Sequence, residues 1–392
     1  MEHQNLPNEK LKIDSTRSLS ETYFSNISKT VEDDENDTIL ESTFRAFNIT
    51  DEQNSNISNE EEQLKQQYDQ YLSQYIAYKT MKFEIQNNYS TKILVFGGFG
   101  DFGEENNFNE RMLEEVEKFD DPTNLEIYPW KSFGGKTPKK RMFFGCTELE
   151  GKVYICGGRR SYLESPKNSL FESNFEDYDY SRWFVLQNMC FSRDSFGFTG
   201  GKINEEKFLI AAGGYNENGL TNTVELLRLN KIYAKWNPIK TITKKCFGLE
   251  LVFVNDQIMA IGGKEYITEY NIVQTYDFQN DSWKITSKTN KKYSMFGVTV
   301  LDGSIYICNG KNFEVLHKGE KNWKILRSPE FKVEEGLQLV SFNDDIMMIG
   351  GKTNTELAVD ITQTYNLRTD KWIISSPMLS PKAYHRAIVM NG

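Results

Sequence analysis

The chain of 392 residues has little of several features that define common protein classes. Its longest uninterrupted apolar runs are about five residues, as at 208–212, whereas a membrane-spanning helix needs roughly 20. The amino terminus lacks the basic start and the apolar stretch of a secretory signal. We therefore expect no membrane span and no membrane partner, and a cytoplasmic location.

Cysteine and histidine are also scarce. The five cysteines are an odd number without a Cys-x-x-Cys pair, which predicts reduced thiols rather than disulfides or a zinc site. Three histidines are too few for a clustered copper site, and no glycine-rich phosphate loop lies between a strand and a helix. The sequence predicts no metal, no cofactor and no enzymatic activity.

The net charge of −10 is concentrated near the amino terminus. Residues 1–60 carry 13 acidic and 5 basic side chains, whereas residues 91–392 carry 39 and 38. The segment 1–58 is rich in Asn, Ser, Thr, Glu and Asp without periodicity, which is typical of a disordered chain. We interpret it as an acidic disordered tail, and we expect no nucleic-acid partner.

Residues 59–88 predict a single amphipathic helix without Gly or Pro. Tyr68, Tyr71, Tyr75 and Tyr78 follow alternating steps of three and four, which places them in one aromatic stripe. A tyrosine seam is a poor core for a two-stranded coiled coil. The stripe is therefore expected to pack on the adjacent domain or on a partner, with oligomerisation through this helix as the alternative.

A repeat begins after the helix. Short apolar runs end in a glycine pair, with Asn in place of the first glycine in the fifth copy. The first position of the pair recurs in steps of 60, 56, 49, 47 and 41 residues, at Gly97, Gly157, Gly213, Gly262, Asn309 and Gly350. The six tryptophans follow, one per repeat, in a predicted hairpin: Trp130, Trp183, Trp236, Trp283, Trp323 and Trp372. Upstream of the glycine pair in five copies lies a predicted strand with a small residue at its centre. These residues are Gly145, Gly197, Gly248, Gly297 and Gly336.

This pattern of apolar strand, double glycine, tyrosine and tryptophan resembles the kelch repeat, about 50 residues per four-stranded blade. The resemblance implies an all-β fold, a six-bladed β-propeller over residues 91–392. The strand at 383–390 is expected to complete the first blade and close the ring, because joining the end of the chain to residue 91 continues the repeat.

Each repeat also has a basic residue four or five positions before the small centre of the predicted innermost strand. Six blades would place these residues in a ring at one mouth of the channel: Arg141, Arg193, Lys244, Lys292, Lys332 and Lys382. Two interpretations stay open. The ring can bind an acidic peptide, as the resemblance to kelch-like adaptors implies, or it can supply hydrogen bonds between blades.

The favoured function is a non-enzymatic platform that binds a protein partner, with an acidic peptide as the candidate ligand. One alternative is an enzyme acting on a small molecule or glycan in the channel, with Glu148 and Glu250 as candidate acid and base. Another is a structural subunit of a cytoskeletal or other large assembly, attached through the helix.

Overall fold

The computed structural model describes residues 92–100, 112–120, 129–174, 182–230, 233–355 and 357–390. The predicted tail at 1–58 and the predicted helix at 59–88, with Tyr68, Tyr71, Tyr75 and Tyr78, lie outside these residues. Within the described ranges, the chain has no helix with the length and apolar character that crossing a membrane requires.

The first half of the described chain consists of short strands. They are β1 (Lys92–Phe96), β2 (Glu115–Asp120), β3 (Trp130–Lys136), β4 (Gly145–Leu149), β5 (Lys152–Cys156), β6 (Leu170–Asn174), β7 (Trp183–Leu186), β8 (Gly197–Ile203), β9 (Glu206–Ala212), β10 (Tyr215–Asn216), β11 (Gly219–Leu220), β12 (Val224–Arg228) and β13 (Trp236–Ile239).

The second half continues in the same way. Its strands are β14 (Phe247–Val254), β15 (Gln257–Glu265), β16 (Thr268–Glu269), β17 (Ile272–Asp277), β18 (Ser282–Lys288), β19 (Gly297–Leu301), β20 (Ser304–Cys308), β21 (Phe313–Leu316), β22 (Lys324–Leu326), β23 (Gln338–Phe342), β24 (Asp345–Ile349), β25 (Thr362–Asn366), β26 (Lys371–Ser375) and β27 (Arg386–Met390).

Six antiparallel sheets form the blades of a propeller, and the prediction of an all-β six-bladed propeller is confirmed. Blade 1 has the strand order β27-β1-β2-β3, blade 2 is β4 to β7, and blade 3 is β8-β9-β12-β13. Blade 4 is β14-β15-β17-β18, blade 5 is β19 to β22, and blade 6 is β23 to β26. The innermost strands β27, β4, β8, β14, β19 and β23 contact one another in that order and back to β27.

Blade 1 joins the two ends of the described chain. Strand β27 pairs antiparallel with β1, from Phe96 opposite Arg386 to Lys92 opposite Met390. The ring is thus closed by hydrogen bonds between strands that are almost 300 residues apart in sequence.

The core lies between neighbouring blades because the second strand of each blade is covered on both faces. In β1, for example, the four residues from Ile93 to Phe96 are buried. At the outermost strand of each blade, or just before it for Trp323, the tryptophan indole nitrogen donates to the preceding blade over 2.7–3.3 Å. The acceptors are Ser376 O, Lys136 O, Gln187 O, Lys240 O, Ser287 Oγ and Arg327 O, for Trp130, Trp183, Trp236, Trp283, Trp323 and Trp372 respectively.

The glycine pairs contact the connection that leads into the next blade. A Cβ on Gly157 would lie 2.7 Å from the Arg193 carbonyl oxygen, and Gly157 has a φ of +62°. The amide of the second glycine, Gly158, donates to the same oxygen over 2.8 Å. Glycine is required here for both its left-handed backbone and its small size.

Candidate functional site at the mouth of the channel

A layer of backbone hydrogen bonds surrounds one mouth of the channel, just before each innermost strand. Its six members share a left-handed backbone: Phe143, Ser195, Gly248, Met295, Gly336 and Tyr384. From Ser195 to Tyr384, each amide donates to the carbonyl of the equivalent residue in the preceding blade, over 2.7–3.0 Å. Five hydrogen bonds therefore link the six blades at this mouth.

The layer corrects the predicted register of the small residues. Gly248 and Gly336 belong to the hydrogen-bonded layer, whereas Gly145, Gly197 and Gly297 lie two residues further along their blades. The positions equivalent to those three glycines in blades 4, 6 and 1 hold polar residues, Glu250, Gln338 and Arg386. The spacing of glycines alone cannot distinguish two adjacent layers.

Two of these polar residues cross the channel. The Arg386 guanidinium lies 2.8 Å from Glu250 Oε1, which joins blade 1 to the opposite blade 4. Arg386 Nε also donates to the Phe144 carbonyl over 2.8 Å. Burial raises the pKa of Glu250, against the opposing effect of Arg386. The ion pair therefore acts as a strut below the mouth.

The Glu250–Arg386 ion pair leaves little free space in the channel. The cavity that it lines with the mouth layer has a volume of about 30 Å³, enough for a water but far below the roughly 300–1,000 Å³ of ligand pockets. Glu148 instead accepts the Gly151 amide in a turn, over 2.7 Å. The two carboxylates of the enzyme alternative are thus engaged by different partners.

Three of the six predicted ring residues are buried inside the propeller. Arg193 is 0% exposed and lies 3.1 Å from Glu225 Oε1, while it donates to the Gly213 carbonyl over 2.8 Å. Lys382 is also 0% exposed, with its Nζ 3.0 Å from Glu117 Oε1. These contacts join the loop before an innermost strand to the middle of the same blade.

Arg141 occupies the equivalent position in blade 2 without a carboxylate opposite. It donates to the Gly157 carbonyl over 2.8 Å, and its guanidinium lies 5.1 Å from the centre of the Phe171 ring. Burial lowers the pKa of Arg141 to about 10. Aromatic contact takes the place of the ion pair here.

The other three predicted residues, Lys244, Lys292 and Lys332, are exposed. The positions equivalent to Arg193 in their blades are occupied by neutral residues, Cys246, Tyr293 and Val333, one or two residues further along. The six basic residues therefore do not form one accessible ring. Three lie in the interior, and three remain at the surface of the same connections.

Sequence reasoning missed the polar partners on the third strands. Five blades carry a buried Glu or Gln two residues from the position opposite the tryptophan: Glu117, Glu225, Gln274, Glu314 and Gln363. Each accepts backbone amides of the loop entering its blade; Glu314, for example, accepts Asn290 N and Lys291 N over 2.8 Å. The available signal was a Glu or Gln recurring shortly before the tryptophan hairpin in five repeats.

The surface around the mouth mixes aromatic rings with charges. Glu335 lies 3.1 Å from Lys352 and 3.7 Å from Lys264, and it accepts the Tyr384 hydroxyl over 2.7 Å. Burial acts to raise the pKa of Glu335, but these hydrogen bonds and charges lower it. Among the described residues, no group of three or more His, Cys, Asp or Glu could hold a metal ion.

Comparison with known proteins finds relatives among kelch-repeat proteins. No protein-family model matches the chain. Kelch-like protein 23 from Homo sapiens is 21% identical over 323 residues, 81% of this chain and 45% of the relative. Kelch-like protein 40 from Xenopus laevis is 27% identical over 191 residues, 48% of this chain and 28% of the relative.

A third relative, Kelch repeat and BTB domain-containing protein 2 from cowpox virus, is 32% identical over 105 residues, 26% of this chain and 18% of the relative. The chain thus spans less than half the length of these three relatives. The closed ring of six four-stranded blades defines the described body as a six-bladed β-propeller. With its glycine pairs, tryptophans and relatives, it is a kelch-repeat propeller, as predicted. Kelch-like propellers generally mediate protein–protein interactions and are generally not enzymes.

Proposed function

We propose that this protein is a non-enzymatic interaction platform whose mouth face binds an acidic segment of a partner protein. The observation that carries the proposal is a group of exposed lysines on two neighbouring connections, Lys244 with Lys245 and Lys291 with Lys292. Within the described ranges, no carboxylate lies at ion-pair distance from these four side chains. Their charge is available to a ligand.

The buried members of the predicted ring support the fold, so the binding function rests on the exposed ones. Lys244, Lys292 and Lys332 lie on three successive connections beside the mouth. Several carboxylates of a flexible peptide can contact such lysines at once, and the attraction will weaken as salt screens it.

The test uses the full chain and a fluorescent synthetic peptide Glu-Asp-Asp-Glu-Asn-Asp, the sequence of residues 32–37. The double variant Lys244→Glu/Lys292→Glu is expected to bind at least ~10-fold more weakly, because both charges become repulsive. Wild-type binding should also fall between about 0.1 and about 1 M salt, where the Debye length shrinks from ~10 to ~3 Å.

A matched control reverses two lysines at the opposite face, Lys318→Glu/Lys321→Glu, both exposed in the hairpin of blade 5. This control changes the net charge by the same amount as the Lys244/Lys292 variant, but at a different part of the surface. Equal loss of binding in both double variants would attribute the effect to net charge alone. Unchanged binding in the Lys244/Lys292 variant would refute the proposal.

The tyrosine stripe at Tyr68, Tyr71, Tyr75 and Tyr78 stays a prediction. We propose it as a surface for a partner protein or for a second copy of the chain, and a cytoplasmic location for the protein. Sedimentation of the full chain should then show a species that replacing the four tyrosines by serine removes. A monomer with the same sedimentation before and after the replacement would exclude the second copy.

A further inference from the structure

An open groove lies between blades 2 and 3, at the face opposite to the mouth. Its volume is about 770 Å³, within the range of ligand pockets. The groove lies near the end of innermost strand β4 and the outer hairpin of blade 3. Its lining includes Leu149, Tyr154, Leu186, Leu227, Leu229 and Ala234. The mouth residues are at the start of the innermost strands, so the groove is separate from the proposed peptide surface.

The equivalent place between blades 3 and 4 is filled by aromatic rings. Phe208 lies 5.3 Å from Phe253 and 5.8 Å from Phe278, measured between ring centroids. Tyr276 lies 4.9 Å from Phe278 and 5.2 Å from Trp283. These rings close the space between the two blades.

Strand pairing identifies the counterparts of these rings at the groove. Tyr276 is opposite Trp283, and Leu227 is opposite Trp236. Leu227 therefore takes the place of Tyr276. Residues at the same distance from the glycine pair, from the mouth layer or from this position correspond between blades. By this count, Lys152 corresponds to Phe208, Gly200 to Phe253 and Leu229 to Phe278. All four aromatic residues are thus replaced by non-aromatic ones, which explains why a groove is present here.

The chemistry of the groove is suited to a phenol. Its floor includes the buried Leu227 and Tyr154, 1% and 3% exposed, and the Tyr154 hydroxyl donates to Glu172. At its rim, Glu172 lies 2.7 Å from Lys152, and Glu150 pairs with both Lys202 and Lys207. In blades 4 and 6, tyrosine hydroxyls of Tyr276 and Tyr365 donate to an aspartate in the same hairpin, over 2.8 and 2.6 Å. In the groove, Glu150 and Glu172 keep lone pairs beyond those used by their present partners, and these can accept such a hydroxyl, while the hairpin of blade 3 has Ala234 in place of the aspartate.

We propose that the groove between blades 2 and 3 binds the side chain of a tyrosine presented by a partner protein. The ring would fill the space that aromatic residues occupy between blades 3 and 4, and the hydroxyl would donate to Glu150 or Glu172. This site is independent of the proposed acidic-peptide surface.

The probe is a blocked tripeptide, acetyl-Gly-Tyr-Gly-amide, observed by saturation-transfer NMR with the full chain. A dissociation constant on the order of 1 mM is expected for a ligand of this size. The peptides with Ala or Phe in the central position should bind more weakly, the first for lack of the ring and the second for lack of the hydroxyl. The Lys244→Glu/Lys292→Glu variant should bind the tyrosyl peptide as the wild type does.

Two variants locate the site. Leu229→Tyr places a ring in the groove and should weaken binding at least ~10-fold by occupying it. Val185→Glu changes a rim residue that is 71% exposed, so it should weaken binding without affecting folding. The control Tyr233→Ser, at a residue 86% exposed in the same hairpin, should leave binding unchanged.

Failure of the tyrosyl peptide to bind, or equal binding by the wild type and both groove variants, would overturn the proposal. Equal affinity for the phenylalanyl peptide would overturn the assignment to tyrosine. Binding of p-cresol without binding of the peptide would assign the groove to small phenols rather than to a partner protein.

Discussion

Replacing His385 by Phe should stabilise the propeller, although His385 lies at the centre of the ring closure. His385 is 1% exposed, and neither ring nitrogen has a hydrogen-bond partner. The equivalent residue in three other blades is phenylalanine, at Phe144, Phe196 and Phe296. The imidazole therefore occupies a place between blades that elsewhere suits an apolar ring.

The expected gain has two parts. An unsatisfied buried polar group costs about 1–3 kcal/mol, which Phe would recover at neutral pH. In addition, burial lowers the pKa of His385 to about 3, assisted by the charges of Lys382 and Arg386. The unfolded chain then binds a proton that the folded chain does not, so stability is lost as pH falls below the unfolded pKa of about 6.5. Between pH 7 and pH 5 this loss amounts to about 2 kcal/mol.

Urea unfolding of the wild type and His385→Phe at both pH values separates the two parts. The variant should be more stable by about 1–3 kcal/mol at pH 7, and by about 2 kcal/mol more at pH 5. His317→Gln, in an exposed hairpin, is the control and should change stability by no more than about 0.5 kcal/mol. A destabilised variant, or a stability difference that is the same at both pH values, would refute the reasoning.

Two further predictions concern the same interior. Deleting residues 381–392 removes β27 and should unfold or aggregate the protein, because β1 loses its partner and the ring opens; an unchanged melting temperature would contradict the closure. Glu225→Ala leaves Arg193 buried without its carboxylate and should cost about 3–5 kcal/mol, measured by urea unfolding. The exposed Glu205→Ala is its control, and an equally small effect of both changes would contradict the structural role of Arg193.

The fold was predictable because its signals repeat. Five glycine pairs, the Asn309-Gly310 pair and six tryptophans recur at equivalent places, so a departure in one copy does not change the number of blades. The register inside a blade was less predictable. Gly248 and Gly336 satisfy the left-handed layer at the mouth, whereas Gly145 satisfies close contact within the channel, and both needs select the same residue.

The candidate site was predictable only in part, for a similar reason. A basic residue near the start of an innermost strand has two uses in this protein, and sequence spacing does not distinguish them. Arg193 is buried against Glu225, but Lys244 is exposed two residues before the equivalent position. The difference depends on the length and path of each connection. The groove between blades 2 and 3 was unpredictable because it arises from replacements on three strands or turns that are distant in sequence, at Lys152, at Gly200 and at Leu227 with Leu229.

The buried polar partners show how the interior and the surface divide the positive charge. In three blades the third strand carries a carboxylate that accepts a hydrogen bond from the residue entering the blade. The pairs are Glu117 with Lys382, Glu225 with Arg193, and Glu314 with the Tyr293 hydroxyl. Where that residue is Cys246 or Val333, the third strand carries an uncharged amide, Gln274 or Gln363. The buried cations Lys382 and Arg193 thus each have a carboxylate, whereas Arg141 in blade 2 contacts the Phe171 ring instead. Because Glu117 and Glu225 neutralise Lys382 and Arg193, the proposed acidic-peptide surface depends on the exposed lysines of the connections.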